Sequence, residues 1–96
     1  MSEREQYQKK LQSQLDEWRA ELDKLKAQAT GASADARLEL ERRVDEIEER
    51  IAELDSRRKE LATAGDEAWD EIRAGVETAW KSLKSAFEEA GSKFRR

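Results

Sequence analysis

The chain has 96 residues, a formal net charge of −4 and 44% charged side chains. It contains no cysteine, histidine or proline, which removes disulfides, thiolate chemistry, the usual zinc sites and imidazole acid–base catalysis. Ala, Glu, Lys, Leu and Arg supply 58 of the 96 residues, a composition typical of long helices and coiled coils.

Leu, Ile, Val and Phe together number only 16. That is too few for a thick globular core, and a thin seam between helices suits it better, reinforced by self-association. Low apolar content also favours disorder, but the balanced charges and strict apolar periodicity oppose it. The N-terminus, Met1-Ser2-Glu3-Arg4-Glu5-Gln6, is charged and has no apolar run behind it. It does not read as a signal peptide, and no window approaches transmembrane length, so a cytoplasmic location is expected.

From Tyr7, apolar residues step by threes and fours through Leu11, Leu15, Trp18, Leu22, Leu25 and Ala29. This spacing predicts a first helix over about 4–30 with a narrow apolar face. Trp18 falls among leucines at a d position, as a bulky seam residue. Thr30-Gly31-Ala32-Ser33-Ala34-Asp35 then offers a glycine C-cap, with Ser33 or Asp35 as the next N-cap. Yet Ala29, Ala32 and Ala36 carry the three-four spacing into Leu40 without a slip, and one glycine inside a helix costs only about 1 kcal/mol. An antiparallel hairpin is the favoured reading, and one continuous coiled-coil rod with a separate C-terminal helix is the alternative.

A second helix, over about 34–63, follows a heptad with Val44 and Ile51 at a and Ile47 and Leu54 at d. Arg58 occupies the next a position, either as a register-setting charge or as the end of the seam. Glu46–Arg50, Glu53–Arg57 and Asp55–Lys59 form favourable i,i+4 pairs. Along the seam edges, Arg19 and Lys26 occupy e in the first helix, facing Glu48 and Asp55 at e in the second. The g positions hold Glu21 in the first helix against Arg43, Arg50 and Arg57 in the second. An antiparallel pair of these helices attracts along both edges. A parallel pair of the second helix with its own copy also satisfies the charges, whereas an antiparallel self-pair does not.

At Thr63-Ala64-Gly65-Asp66 the Thr63–Asp66 spacing suggests a capping box, with Asp in place of Glu or Gln. The third helix, over about 66–94, repeats every eleven residues. Trp69 matches Trp80, Ile72 matches Leu83 and Phe94, and Val76 matches Phe87. Eleven residues make almost three turns, so these side chains form one nearly straight stripe. It packs as the third helix of a bundle or, as the less favoured reading, docks on a membrane. Lys81, Lys84, Lys93, Arg95 and Arg96 suit an anionic surface, while Asp66, Glu67, Asp70 and Glu71 repel it.

The expected architecture is therefore an all-α single domain of three long amphipathic helices. Its interface residues are Leu15, Trp18, Leu22, Leu25, Val44, Ile47, Ile51, Leu54, Trp69, Ile72, Val76, Trp80, Leu83, Phe87 and Phe94, serving helix–helix, partner or membrane contact. No catalytic, cofactor or metal residues are expected, and no small-molecule substrate. The clusters Arg42-Arg43 and Arg57-Arg58-Lys59 are embedded in acids, which argues against nucleic acid. A homo-oligomer or a protein partner is the expected association.

The chain resembles a family of short bacterial coiled-coil stress-response proteins over nearly its whole length. The likeness rests on Gln14-Leu15-Asp16-Glu17-Trp18 followed by Glu21-Leu22-Asp23-Lys24-Leu25, and on Ala34-Asp35-Ala36. Most specific is Gly65-Asp66-Glu67-Ala68-Trp69 through Ala74-Gly75-Val76-Glu77-Thr78-Ala79-Trp80. Gly31 is unusual for that family. The resemblance implies a soluble, non-enzymatic cytoplasmic protein linked to stress, and it supplies no mechanism and no active residues.

Overall fold

A computed structural model describes residues 2–94, with side chains to Gly91. It contains three helices of nearly equal length, α1 (Glu3–Thr30), α2 (Ala34–Ala62) and α3 (Asp66–Phe94), and no strand among the described residues. The all-α bundle expected from the sequence is present, and the chain turns at Gly31 instead of running on as a rod. Cross-helix contacts fix the directions. Arg19 and Lys26 of α1 reach Asp55 and Glu48 of α2, so these helices are antiparallel. Arg43 and Arg50 of α2 reach Glu89 and Ser82 of α3, again antiparallel. Arg4, Tyr7 and Trp18 of α1 meet Asp66, Trp69 and Trp80 of α3 at a constant offset, so α1 and α3 run parallel.

The core is a seam, as the composition requires. Leu15, Ile47, Leu54 and Leu83 are fully buried, and Leu11, Leu40 and Leu61 extend the same cluster. Leu61 is 1% exposed, so the seam continues past Arg58. That side chain turns aside, its Nε donating to Asp55 Oδ1 at 2.9 Å. No charged or polar residue is buried among the described side chains. The bundle measures 50 × 21 × 18 Å, close to the length of one 29-residue helix at about 1.5 Å per residue.

The helix ends differ in detail from the sequence expectations. Ser2 caps α1, its Oγ accepting from Glu5 N at 3.2 Å. Gly31 closes α1 at φ −90°, ψ 0°, without entering the left-handed region. Ser33 stands at the N-cap of α2 but forms no side-chain cap bond. The Thr63–Asp66 capping box does not form. Thr63 belongs to the end of α2, where its hydroxyl donates to Glu60 O, and the Gly65 carbonyl receives the first N–H groups of α3. Asp66 therefore lies one residue inside α3 rather than answering a cap at Thr63.

Candidate functional site: the aromatic face between α1 and α3

α2 is the central helix, packed closely on both neighbours. Among the described residues, no Cα of α1 comes within 8 Å of a Cα of α3. Aromatic rings bridge that gap. Trp18 stacks on Phe87 with centroids 4.6 Å apart and 14° between planes, and meets Trp80 edge-on at 6.0 Å. One end of the face is closed by Tyr7 and Trp69 in an edge contact at 6.0 Å. Two guanidinium groups cover this pair, Arg4 over Trp69 at 4.6 Å and Arg73 over Tyr7 at 4.9 Å. Such offset and edge-on pairs each add about 0.5–1.5 kcal/mol beyond area burial.

The α3 residues of the eleven-residue stripe divide between two neighbours. Trp69, Val76 and Leu83 are buried together with Ala79, Ala86 and Ala90, while Ile72, Trp80 and Phe87 stay half-buried at the flank. Trp80 and Phe87 thus stand half-buried at the flank toward α1, while the buried line holds Trp69, aliphatic side chains and alanines. In the first two helices, Leu15, Leu22, Leu25, Val44, Ile47, Ile51 and Leu54 are all buried, with Trp18 half-buried. The Phe94 side chain, with Lys93, Arg95 and Arg96, lies outside the described residues.

The seam-edge charges are half as expected. Along e, Lys26 Nζ lies 2.6 Å from Glu48 Oε1 and Arg19 lies 3.6 Å from Asp55. The expected attraction along g does not form, because α3 occupies that edge of α2. Glu21 pairs with Lys24 on its own helix. Arg43 reaches Glu89 of α3 at 3.2 Å, Arg50 donates to Ser82 Oγ, and Arg57 lies over Gly75. Of the i,i+4 pairs, Glu46–Arg50 and Asp55–Lys59 form at 2.9 and 3.5 Å. Glu53–Arg57 does not form among the described residues, since Arg57 is turned to α3. The heptad run Gly75, Ser82, Glu89 on α3, antiparallel to Arg57, Arg50, Arg43 on α2, is the signal that could have revealed this edge.

A Cβ added at Gly75 meets Arg57 atoms at 3.7–3.8 Å, ordinary contact distance. Gly75→Ala is therefore expected to stabilise α3 by about 0.5–1 kcal/mol, since glycine is the weaker helix former. A raised urea midpoint at unchanged m-value checks this.

Asp55 gathers three cations from two helices: Arg58 at 2.9 Å, Lys59 at 3.5 Å and Arg19 at 3.6 Å. Burial pushes its carboxyl up, but the Arg58 hydrogen bond and the three positive charges outweigh burial and hold its pKa below 3.8. A carboxyl depressed in the folded state stabilises it above the unfolded pKa, and that contribution vanishes as pH falls through the lower folded value. Stability is therefore expected to drop as pH falls below 3.8, with a smaller drop in Asp55→Asn, read by urea titration between neutral and acid pH. Tyr7 is shifted upward by burial and by Glu77, against Arg73. Lys26 is raised by its hydrogen bond to Glu48.

One positioning residue escaped sequence reasoning altogether. Arg37, in the first turn of α2, donates from Nε to Ala29 O at 3.3 Å and from its terminal nitrogen to Thr30 O at 2.9 Å. It thereby adds a second donor to Ala29 O, which already accepts from Ala32 N, and supplies one to the Thr30 carbonyl at the open end of α1. Nothing in the spacing marks it, because the bond depends on how tightly the chain turns.

Fold and face together define a three-helix bundle whose two outer helices are joined through aromatic side chains. No protein family, curated protein or solved structure is found to match this chain. No helix among the described residues is long and apolar enough to cross a membrane.

Proposed function

We propose that this is a non-enzymatic coiled-coil protein acting through helix–helix self-association or partner binding, as a scaffold or protector under stress. The α1–α3 face is the observation that carries the reading. Two open grooves flank its rings, one of about 620 Å³ beside Trp18, Leu25, Phe87 and Ala90, the other of about 470 Å³ beside Tyr7, Leu11 and Trp80. Charged side chains line them too, Glu21, Lys24, Lys84 and Glu88 in the first and Lys10, Arg73, Glu77 and Lys81 in the second, so they suit a further amphipathic helix that brings both apolar and charged side chains. The link to stress rests on the family resemblance alone, as does a cytoplasmic setting.

The membrane reading is weakened by the packing, because Trp69, Val76 and Leu83 are already buried in the bundle. Docking α3 on lipid requires stripping it from α2. Tryptophan emission with anionic vesicles separates the two readings: no blue shift is expected, and a shift abolished by Trp80→Ser restores the membrane. Sedimentation velocity from low to high micromolar concentration tests association directly. A defined oligomer with concentration-dependent thermal stability is expected, whereas a monomer throughout, with unchanged circular dichroism and no captured helical partner, refutes the proposal.

A further inference from the structure

We infer that the partner is a second copy of this chain, and that the two copies exchange α1 by straightening the turn at residues 31–33 into continuous helix. The inference rests on the self-association reading and specifies its geometry. Four observations carry it.

First, the turn is close to helical already. Gly31 sits at φ −90°, ψ 0°, and its N–H still donates to Ala27 O at 3.3 Å, the bond of an unbroken α-helix. No described residue has a positive φ, so no left-handed residue locks the reversal. Helix resumes at once, with Arg37 N bonded to Ser33 O at 2.7 Å. Ser33 is extended, with ψ 162°, and gains no side-chain cap bond in return.

Second, the three-and-four steps of the apolar line carry across the turn. Ala29 and Leu40 are buried and Ala32 and Ala36 half-buried, at steps of three and four. A straightened helix spanning 3–62, about 90 Å at 1.5 Å per residue, keeps a single seam from Leu11 to Leu61. Where two such rods cross near their turns, the alanines permit close approach.

Third, α1 packs closely on α2 alone. α3 packs closely on α2, whereas α1 meets α3 through side chains with backbones apart. Opening the turn leaves α2 and α3 together and frees α1 as a unit.

Fourth, the contacts α1 loses away from the turn itself are available on the other copy. The e-edge pairs Arg19–Asp55 and Lys26–Glu48 and the stack of Trp18 on Phe87 are antiparallel or parallel contacts between whole helices. They form equally well between chains, which is the condition for exchange of an identical element between protomers. Arg37 opposes the exchange, because its bonds to Ala29 O and Thr30 O exist only while the chain is turned. Straightening gives those carbonyls to helical N–H groups instead.

Substitutions at the turn test this in opposite directions. Ser33→Ala favours continuous helix once per chain, because Ser33 is extended in the turned form and forms no side-chain cap bond there, so the dimer dissociation constant is expected to fall about fivefold. Arg37→Ala is expected to shift it the same way. Ala34→Pro fits the turned form, since residue 34 opens α2 and Ser33 before it is extended, as proline requires. Two prolines inside straightened helices are expected to weaken the dimer on the order of a thousandfold or more. Retained helicity in this variant shows that it folds.

The exchange itself is read with cysteines, which the chain lacks. Lys26→Cys and Glu48→Cys copies are unfolded together in urea, refolded at high micromolar concentration and treated with a short bis-maleimide. Covalent heterodimers are expected, absent when both copies also carry Ala34→Pro. An oligomer whose copies never crosslink overturns the exchange and leaves self-association standing. Crosslinking undiminished by Ala34→Pro overturns the exchange as well. Ser33→Ala remaining monomeric at high micromolar concentration overturns the exchange together with homo-association.

Discussion

Ile47→Ala is expected to lower the stability of the bundle by about 3–4 kcal/mol, within the range for deleting a buried aliphatic side chain. Ile47 is 0% exposed and lies in the helix that both others pack against. The cavity cannot collapse onto one neighbour without opening a gap against the other. A domain of this size holds only about 5–15 kcal/mol in total, so the variant loses a large share of its margin. Urea unfolding followed at 222 nm measures the loss, with Leu38→Ala as control. Leu38 is 67% exposed, two positions from Leu40 at 3%, and its truncation is expected to change stability by no more than about 0.5 kcal/mol. A loss under about 1 kcal/mol for Ile47→Ala would mean the three helices do not share one seam.

Trp18→Ala is expected to cost about 2–3 kcal/mol, the low end for a large aromatic because the ring is only half-buried. Its effect is also directional. Trp18 is the ring of α1 that touches both Trp80 and Phe87, so its removal loosens α1 from α3 while leaving α2 packed on each. Hydrogen exchange is expected to rise in α1 and in the Phe87 turn before it rises in α2. Trp18→Phe supplies the contrast. The indole Nε1 is buried with no acceptor among the described residues, and an orphaned buried donor costs about 1–3 kcal/mol. Phenylalanine keeps a ring against Phe87 and removes that donor, so it is expected to recover most of the stability lost in Trp18→Ala. Uniform protection changes across all three helices would refute the assignment of Trp18 to the α1–α3 contact.

Local pattern carried much of this structure. Three-four spacing, the absence of proline and the glycines at 31 and 65 placed the ends of three helices within a residue or two, because each of those signals acts within a few residues, but they left a continuous rod through Gly31 as the alternative. Opposite charges on the e edge favoured an antiparallel α1–α2 pair and left a parallel self-pair of the second helix open, and the structure forms the first of these. The buried face followed from the same periodicity, from Leu15 to Leu83.

The g edge depended on the tertiary arrangement. Glu21 was the expected partner for the arginines of α2, but a third helix competes for that side, and Arg43, Arg50 and Arg57 turn to Glu89, Ser82 and Gly75 instead. A pairwise reading of two helices has no means of including a competitor sixty positions away. For the same reason, spacing alone does not separate the α3 residues that face α2 from the rings that span to α1. How far apart two backbones lie is settled only when all three helices are in place. The turn follows this rule too: Arg37 braces it through bonds that exist only after the chain has reversed. Periodicity decides what is helix and which side is greasy, and the choice of neighbour for each side waits on the competition among all the helices for the same surfaces.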